Sequence, residues 1–257
     1  MTITYHYLDE VDSTNNELKR RVLTESLPEA TVISAGMQTA GRGRSGHDWV
    51  SPPGVSVSTS MILYPTEVSC EHISRLTPIA AVAVAETVEE LYGLKTQIKW
   101  PNDVLLSEKK ICGILTEMSA KDNRVEYVVV GIGVNVHQTS FPPEIEQMAT
   151  SLDIELAAEQ RGSQQTHCEE ITRRIWTNFT RHYEEFLKSE DLSLVRDFYN
   201  ARLVNRDRRV KVMDPAGAYE GTAKGIDFAG RLLVDEEGRE RKIDSGEVSV
   251  RGIYGYV

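Results

Sequence analysis

The chain has 257 residues, 40% hydrophobic and 26% charged, a balance that excludes wholesale disorder and leaves room for one large domain or one large and one small. Its 29 basic against 39 acidic side chains give a net charge of −10, which disfavours non-specific binding to nucleic acid or to an anionic membrane surface. No apolar run approaches the ~20 residues that span a bilayer, the N-terminus lacks a signal-peptide pattern, and three scattered cysteines (Cys70, Cys112, Cys168) imply a reducing, cytoplasmic setting without a disulfide framework.

In chain order, the segment from Val11 to Leu18 reads as a helix entry. Asp12, Ser13 or Thr14 can cap it, and Leu18 and Val22 lie one turn apart on one face. Thr31 to Ala35 is a short buried strand, whereas Gln38 to Gly54 is glycine-rich, basic and without period, hence a loop. Val55, Val57, Thr59, Met61 and Leu63 alternate with Ser56, Ser58 and Ser60, which is strand spacing. Thr77-Pro78 opens a helix whose inner stripe is Ile79, Ala80, Ala83, Val84, Val88 and Leu91.

Gln97 to Trp100 is strand-like and stops at Pro101. Val104 to Leu106 and Ile111 to Met118 form a hairpin around Ser107 to Lys110. The β-branched run from Tyr127 to Val136 predicts a central strand covered on both faces. Two helices follow, one with Ile171, Ile175, Phe179, Tyr183 and Phe186 inside, the next with Leu194, Val195, Phe198 and Leu203. Beyond about Asn205, four short strands (209–213, 219–223, 231–234 and 247–251) separated by Gly and Asp turns predict a small β-barrel. The expected division is a mixed α+β domain over 1–204 and a barrel over 205–257.

Four segments carry polar groups suited to chemistry. Gln38-Thr-Ala-Gly-Arg-Gly-Arg-Ser-Gly-His-Asp-Trp49 alternates glycines with arginines: glycine lets backbone N–H groups converge on an anion, and Arg42 and Arg44 add forked donors. It is neither a P-loop nor a dinucleotide-binding glycine motif. Lys99-Trp-Pro-Asn-Asp103, with Lys110 and Gly113 downstream, offers two point charges for an anion and a carboxylate that can take a proton or face Mg²⁺ through water. Gly131-Ile-Gly-Val-Asn135 places two glycines inside a strand, which weakens it unless something approaches the backbone closely. Asp12-Ser-Thr-Asn15 reads as a ligand-facing hydroxyl cluster or a plain helix cap. The six histidines show no zinc spacing, and no Gly-x-Ser-x-Gly elbow is present, so no metal-ligating side-chain set is expected.

In this order and spacing the segments resemble the biotin protein ligases, the biotin–[acetyl-CoA carboxylase] ligase family. Ser51-Pro, Lys110-x-x-Gly-Ile-Leu, Phe141-Pro, Ala149-Thr-Ser-Leu and Gly246-Glu-Val-Ser-Val-Arg251 add to the likeness. The resemblance implies a catalytic domain akin to class II aminoacyl-tRNA synthetases with an SH3-like barrel. It implies two half-reactions: biotin and MgATP give biotinyl-5′-AMP and pyrophosphate, and a lysine of a biotin carboxyl carrier protein domain then takes the biotinyl group. Carried over by position, Ser13, Thr14, Asn15, Gln38, Gly41, Arg42, Gly43, Arg44, Lys110 and Gly113 bind biotin. Arg42, Arg44, Trp49, Asn135 and Arg251 meet the nucleotide, while Lys110, Arg44, Asp103 and Lys99 carry the catalytic charges.

Two departures qualify the match. Only twelve residues precede Ser13, too few for the DNA-binding winged helix of some members, so no DNA partner is expected. His47 and Asp48 stand where many members carry basic or polar residues, which removes one expected phosphate contact. The competing readings are a lipoate–protein ligase and a non-catalytic biotin-binding regulator. A homodimer through a sheet edge is compatible with the strand content.

Overall fold

The computed structural model describes residues 1–50, 52–161, 164–213, 217–245 and 249–252, with backbone alone for Ser45 and 249–252. Seven strands, β1 (Thr4–Val11), β2 (Thr31–Gln38), β3 (Ser56–Leu63), β4 (Gln97–Lys99), β5 (Asp103–Leu106), β6 (Lys109–Lys121) and β7 (Arg124–Asn135), form one sheet in the order β1-β2-β3-β7-β6-β5-β4. The β1–β2 pair is parallel and the other pairs are antiparallel, so the sheet is mixed. The β-branched strand β7 lies at its centre.

Helix α1 (Thr14–Thr24) covers one face, placing Leu18 against Ile33, Ile62 and Val129. Helices α2 (Leu76–Tyr92) and α4 (Cys168–Ser189) cover the other, packed on each other and on the sheet. On α4 the rings of Trp176, Phe179, Tyr183 and Phe186 form a buried column with successive centroids 5.4, 6.0 and 6.5 Å apart, and the Trp176 indole donates to Thr59 Oγ1 at 2.9 Å. Helix α2 departs from the one-sided stripe. Ala81, Val82 and Ala85, off the predicted face, are also fully buried, because small alanines let sheet and helices close in all round.

Three elements escape the sequence reading: β1, the short α3 (Leu152–Ala158) and, in the C-terminal region, β11 below. The last helix forms as α5 (Arg196–Arg202), but its predicted inner residue Leu194 is 61% exposed and lies outside it.

The C-terminal strands β8 (Arg209–Met213), β9 (Tyr219–Ile226), β10 (Leu232–Glu236), β11 (Arg239–Ile243) and β12 (Ser249–Gly252) make an antiparallel sheet in the order β11-β10-β9-β8-β12. Among the described residues β11 and β12 do not pair, so the sheet is open where a closed barrel was expected. Its inner residues Val210, Val212, Ala223, Ile226, Leu232 and Val234 join the apolar core of the large sheet. The Trp100 indole N–H donates to Gly230 O at 3.0 Å, fastening the Lys99–Asp103 segment to the small sheet.

Candidate active site

Alternation along β3, β6 and β7 sorts side chains between the two faces of the sheet. Val57, Met61, Val130, Ile132, Val134, Cys112 and Ile114 enter the main apolar core. The α1 face receives Ser58, Ser60, Gly113, Gly131, Gly133 and Glu117, and pairing aligns them. Ser58 lies opposite Gly133, Gly133 opposite Gly113, Gly113 opposite Asp103, and Asp103 opposite Lys99, one register row across five strands. Adjacent to it, Ser60 pairs with Gly131 and Gly131 with Leu115.

The two strand glycines admit side chains from outside the sheet. A Cβ on Gly131 would stand 2.2 Å from Asn15 Oδ1, and one on Gly133 would stand 2.5 Å from Trp49 Cε2. The Trp49 indole thus lies over the Gly113–Gly133 pair, with Lys110 Nζ 5.9 Å from the ring centroid. Trp49 Nε1 is buried without a hydrogen-bond partner among the described residues. Resemblance assigned Gly113 to biotin and Trp49 to the nucleotide. The structure puts the two in contact, so the indole covers the surface expected for biotin.

The arginine loop closes on itself. Trp49 N donates to Gly41 O at 3.0 Å and Gly43 N to His47 O at 2.6 Å, with an isolated bridge between Arg42 and Asp48. A Cβ on Gly41 would meet Trp49 O at 2.3 Å, so only glycine fits that approach. The loop is hung beside α1 by two further bonds, Thr39 N to Val11 O at 2.9 Å and Ala40 N to Asp12 O at 2.8 Å. Arg42 points outward, exposed, while Arg44 is half-buried. Burial lowers the proton affinity of the Arg44 guanidinium and the nearby Asp103 carboxylate acts against that shift.

Lys110 Nζ pairs with Asp103 Oδ1 at 2.7 Å. Asn102 accepts from Ile114 N through its carbonyl at 3.0 Å and donates its side-chain N–H to Ile114 O at 3.1 Å, which locks the turn carrying Asp103 onto β6. Asn135 is buried and donates to Thr150 O at 3.0 Å, so its amide holds the Ala149–Leu152 segment that runs beside Lys110. The Arg251 backbone, in β12, pairs with Lys211 of β8, and its side chain lies outside the described residues, as do Ser51 and residues 246–248.

Ser13 caps α1 by position without a side-chain cap bond, which leaves its hydroxyl to other partners. Thr14 N donates to Gln38 Oε1 at 2.8 Å, Thr14 Oγ1 lies 2.6 Å from Ser60 Oγ, and Ser60 Oγ donates to Asn15 Oδ1 at 2.5 Å. Asn15 Nδ2 in turn donates to Glu117 Oε2 at 2.7 Å, and Lys19 Nζ donates to Glu117 Oε1 at 2.8 Å. Ser60 and Glu117 are not among the residues the sequence reading selected. Ser60 was legible only as the polar phase of a strand, and Glu117 as a single acid beside Ile114-Leu-Thr.

The arrangement can hold an anion between Arg44 and Lys110, offer a polar floor to a small neutral ring, and exclude water under Trp49 and the loop. It offers no activated nucleophile. Burial raises the Cys112 thiol well above its usual range, keeping it neutral next to the site.

Residues 7–135 match the biotin/lipoate A/B protein ligase family, and residues 207–251 match the biotin protein ligase C-terminal domain. The chain belongs to the biotin/lipoate A/B protein ligase family. It is 34% identical over 252 residues to the bifunctional ligase/repressor BirA of Bacillus subtilis, covering 96% of this chain and 74% of that protein. It is 29% identical to the biotin–[acetyl-CoA-carboxylase] ligase of Paracoccus denitrificans, covering 95% of this chain and 100% of that one. The biotin protein ligase of Aquifex aeolicus, solved in complex with biotin and ATP, superposes with a TM-score of 0.81 at 28% identity, over 97% of this chain and 99% of that chain. No described helix is long and apolar enough to cross a membrane.

Proposed function

We propose that this chain, as a member of the biotin/lipoate A/B protein ligase family, is a biotin–[biotin carboxyl-carrier protein] ligase. It joins biotin to AMP and passes the biotinyl group to a lysine of a carrier domain. The observation that carries this reading is the Asp103–Lys110 pair, 2.7 Å apart, at the end of the Ser58–Gly133–Gly113 row, with Arg44 near enough to feel the Asp103 charge. A carboxylate must meet an anionic α-phosphate there, and cations fixed at that point offset the repulsion as the five-coordinate transition state forms.

In this reading Lys110 and Arg44 bind the reacting carboxylate and phosphate, and Lys99 adds positive charge along the same register row. Thr14, Asn15, Gln38 and Gly113 receive biotin, with Ser13, Gly41, Arg42 and Gly43 shaping its entrance. Trp49 leaves the Gly113–Gly133 platform as biotin binds and then lines the nucleotide side. Asn135 acts from beneath, through Thr150, and the resemblance assigns Arg251 to the nucleotide phosphates.

Among the described residues no cluster of three metal-ligating side chains exists. Asp103 is the carboxylate of the site that would face Mg²⁺ carried mainly by ATP phosphates and water. Bound there, the ion would neutralise phosphate charge. In the second step the attacking lysine must be neutral, although a free lysine with a pKa near ~10.4 is mostly protonated at neutral pH. Asp103, on loss of its Lys110 contact, orients that amine and takes its proton.

The division at 204/205, the class II synthetase-like and SH3-like affinities of the two parts, and a cytoplasmic setting belong to the same reading. Incubation with biotin, MgATP and an acceptor domain should add one biotinyl group to the acceptor by intact mass. An unmodified acceptor, or one modified only when lipoate replaces biotin, would contradict the assignment.

A further inference from the structure

The hydroxyls beneath the platform have fewer hydrogens than contacts. Thr14 Oγ1 lies 2.6 Å from Ser60 Oγ and 3.1 Å from Gln38 Oε1, while Ser60 Oγ lies 2.5 Å from Asn15 Oδ1. Two hydroxyl hydrogens must serve three contacts.

Glu117 decides how they are shared. A carboxylate only accepts, so the Asn15 group 2.7 Å from Glu117 Oε2 must be the amide NH₂, which also lies 3.4 Å from Leu115 O, another acceptor. Asn15 Oδ1 therefore faces Ser60, and the Ser60 hydrogen goes to it. The Thr14 hydrogen then goes to Ser60, the shorter of its two contacts. Thr14 Oγ1 is within donating distance of Gln38 Oε1 at 3.1 Å, but its one hydrogen, spent on Ser60, no longer serves that contact. Gln38 Oε1 cannot turn away, because the Thr14 backbone N–H donates to it at 2.8 Å. Lys19, at 2.8 Å, holds the other oxygen of Glu117 and keeps the carboxylate in place.

We infer that Glu117 is a positioning residue for substrate specificity: acting through Asn15 and Ser60, it turns the Thr14 hydroxyl into an acceptor, so that Thr14 and Gln38 together select an acid bearing an N–H donor on its ring. This deepens the ligase reading and rests on it. A ureido ring supplies such a donor, whereas a dithiolane ring has none and would leave the Thr14 oxygen without a donor and Gln38 Oε1 with only the Thr14 backbone N–H. The polarity of the site is thus set by a charge that touches no substrate.

The test is biotin-dependent ATP–pyrophosphate exchange by wild type, Glu117→Ala, Glu117→Gln and Ser60→Ala, with biotin and with biotin methylated on its ureido nitrogens. In Glu117→Ala the Asn15 amide is free to turn. In Ser60→Ala, a nearly isosteric change, the Thr14 hydrogen is released to Gln38. Both should raise KM for biotin about tenfold or more, with KM for ATP and the melting temperature little moved. Glu117→Gln, which still offers Asn15 an oxygen, should recover most of the loss. With the methylated ligand wild type should already be weak, and the variants should lose only about twofold further. Equal losses with both ligands, or an unchanged biotin KM in Glu117→Ala and Ser60→Ala, would overturn the inference and leave the ligase assignment standing. Wild type showing no biotin-dependent exchange would overturn both.

Discussion

The two faces of the central sheet are both buried, yet they are built on opposite rules. On the α2/α4 face, Val57, Met61, Val130, Ile132 and Val134 meet alanines and a column of aromatic rings, and Thr59, the polar exception, is satisfied by Trp176. On the α1 face the same strands present Ser58, Ser60, Gly131, Gly133 and Asn135, filled by the side chains of Asn15 and Trp49. Burial alone does not separate a core from a site. The separation lies in glycines at which a Cβ would collide, and in hydroxyls bound to one another instead of to the backbone.

The largest effect should come from the apolar face. Trp176→Ala removes a fully buried ring and its bond to Thr59, and should cost about 3–5 kcal/mol in denaturant unfolding, with KM for biotin unchanged in the protein that remains folded. A shift of KM as large as the stability loss would mean that the two faces are not independent.

Gly131→Ala tests the other rule. Its methyl would meet Asn15 Oδ1 at 2.2 Å, displacing Asn15 from Ser60, so biotin KM should rise about tenfold while stability falls by only ~1–3 kcal/mol. A variant with normal biotin KM would show that Asn15 has no part in binding.

Two tryptophans separate the faces by spectroscopy. Biotin should change the fluorescence of Trp49, whose ring must leave Gly113 and Gly133, and a Trp49→Phe variant should lose that change while buried Trp176 stays silent. A biotin-induced change that persists in Trp49→Phe would place the movement elsewhere.

The smallest effect concerns the entrance of α1. Arg20 holds Asp12 through two bonds of 2.9 and 2.6 Å and drives its carboxyl well below the ordinary value of 3.8. A depressed folded-state pKa stabilises above the unfolded value and the contribution disappears as pH falls through the folded one. Asp12→Asn should therefore lower the melting temperature slightly at pH 7, less so in high salt because the pair is exposed, and the difference should shrink as the pH drops below ~4. A difference that grows on acidification would contradict the pairing.

Much of this is legible in the sequence. Alternation in β3 and the β-branched run of β7 exposed the two strands at the centre, and the glycines inside β7 signalled a close approach that proves to be Asn15 and Trp49. Strand β11 was missed because Arg239-Glu-Arg-Lys-Ile243 is too charged to read as a strand. Strand β1 is not legible because it lies at the sheet edge with no fully buried residue, so Thr4-Tyr-His-Tyr-Leu-Asp-Glu-Val shows no apolar alternation. In the site, Lys110, Asp103 and Arg44 were visible as charges in odd company. Ser60 and Glu117 were not, since a serine on a polar strand phase and a lone acid look like solvated residues until folding buries the one and sets the other against Asn15.

The central claim is that the α1 face activates biotin at Lys110. Exchange of labelled pyrophosphate into ATP tests it most directly, with biotin or lipoate as the acid, in wild type and Lys110→Ala. Exchange should depend on biotin, ignore lipoate, and fall about 10²–10³-fold or more in Lys110→Ala while the variant keeps its melting temperature. Exchange driven by lipoate alone, or biotin-dependent exchange that survives loss of Lys110, would contradict it.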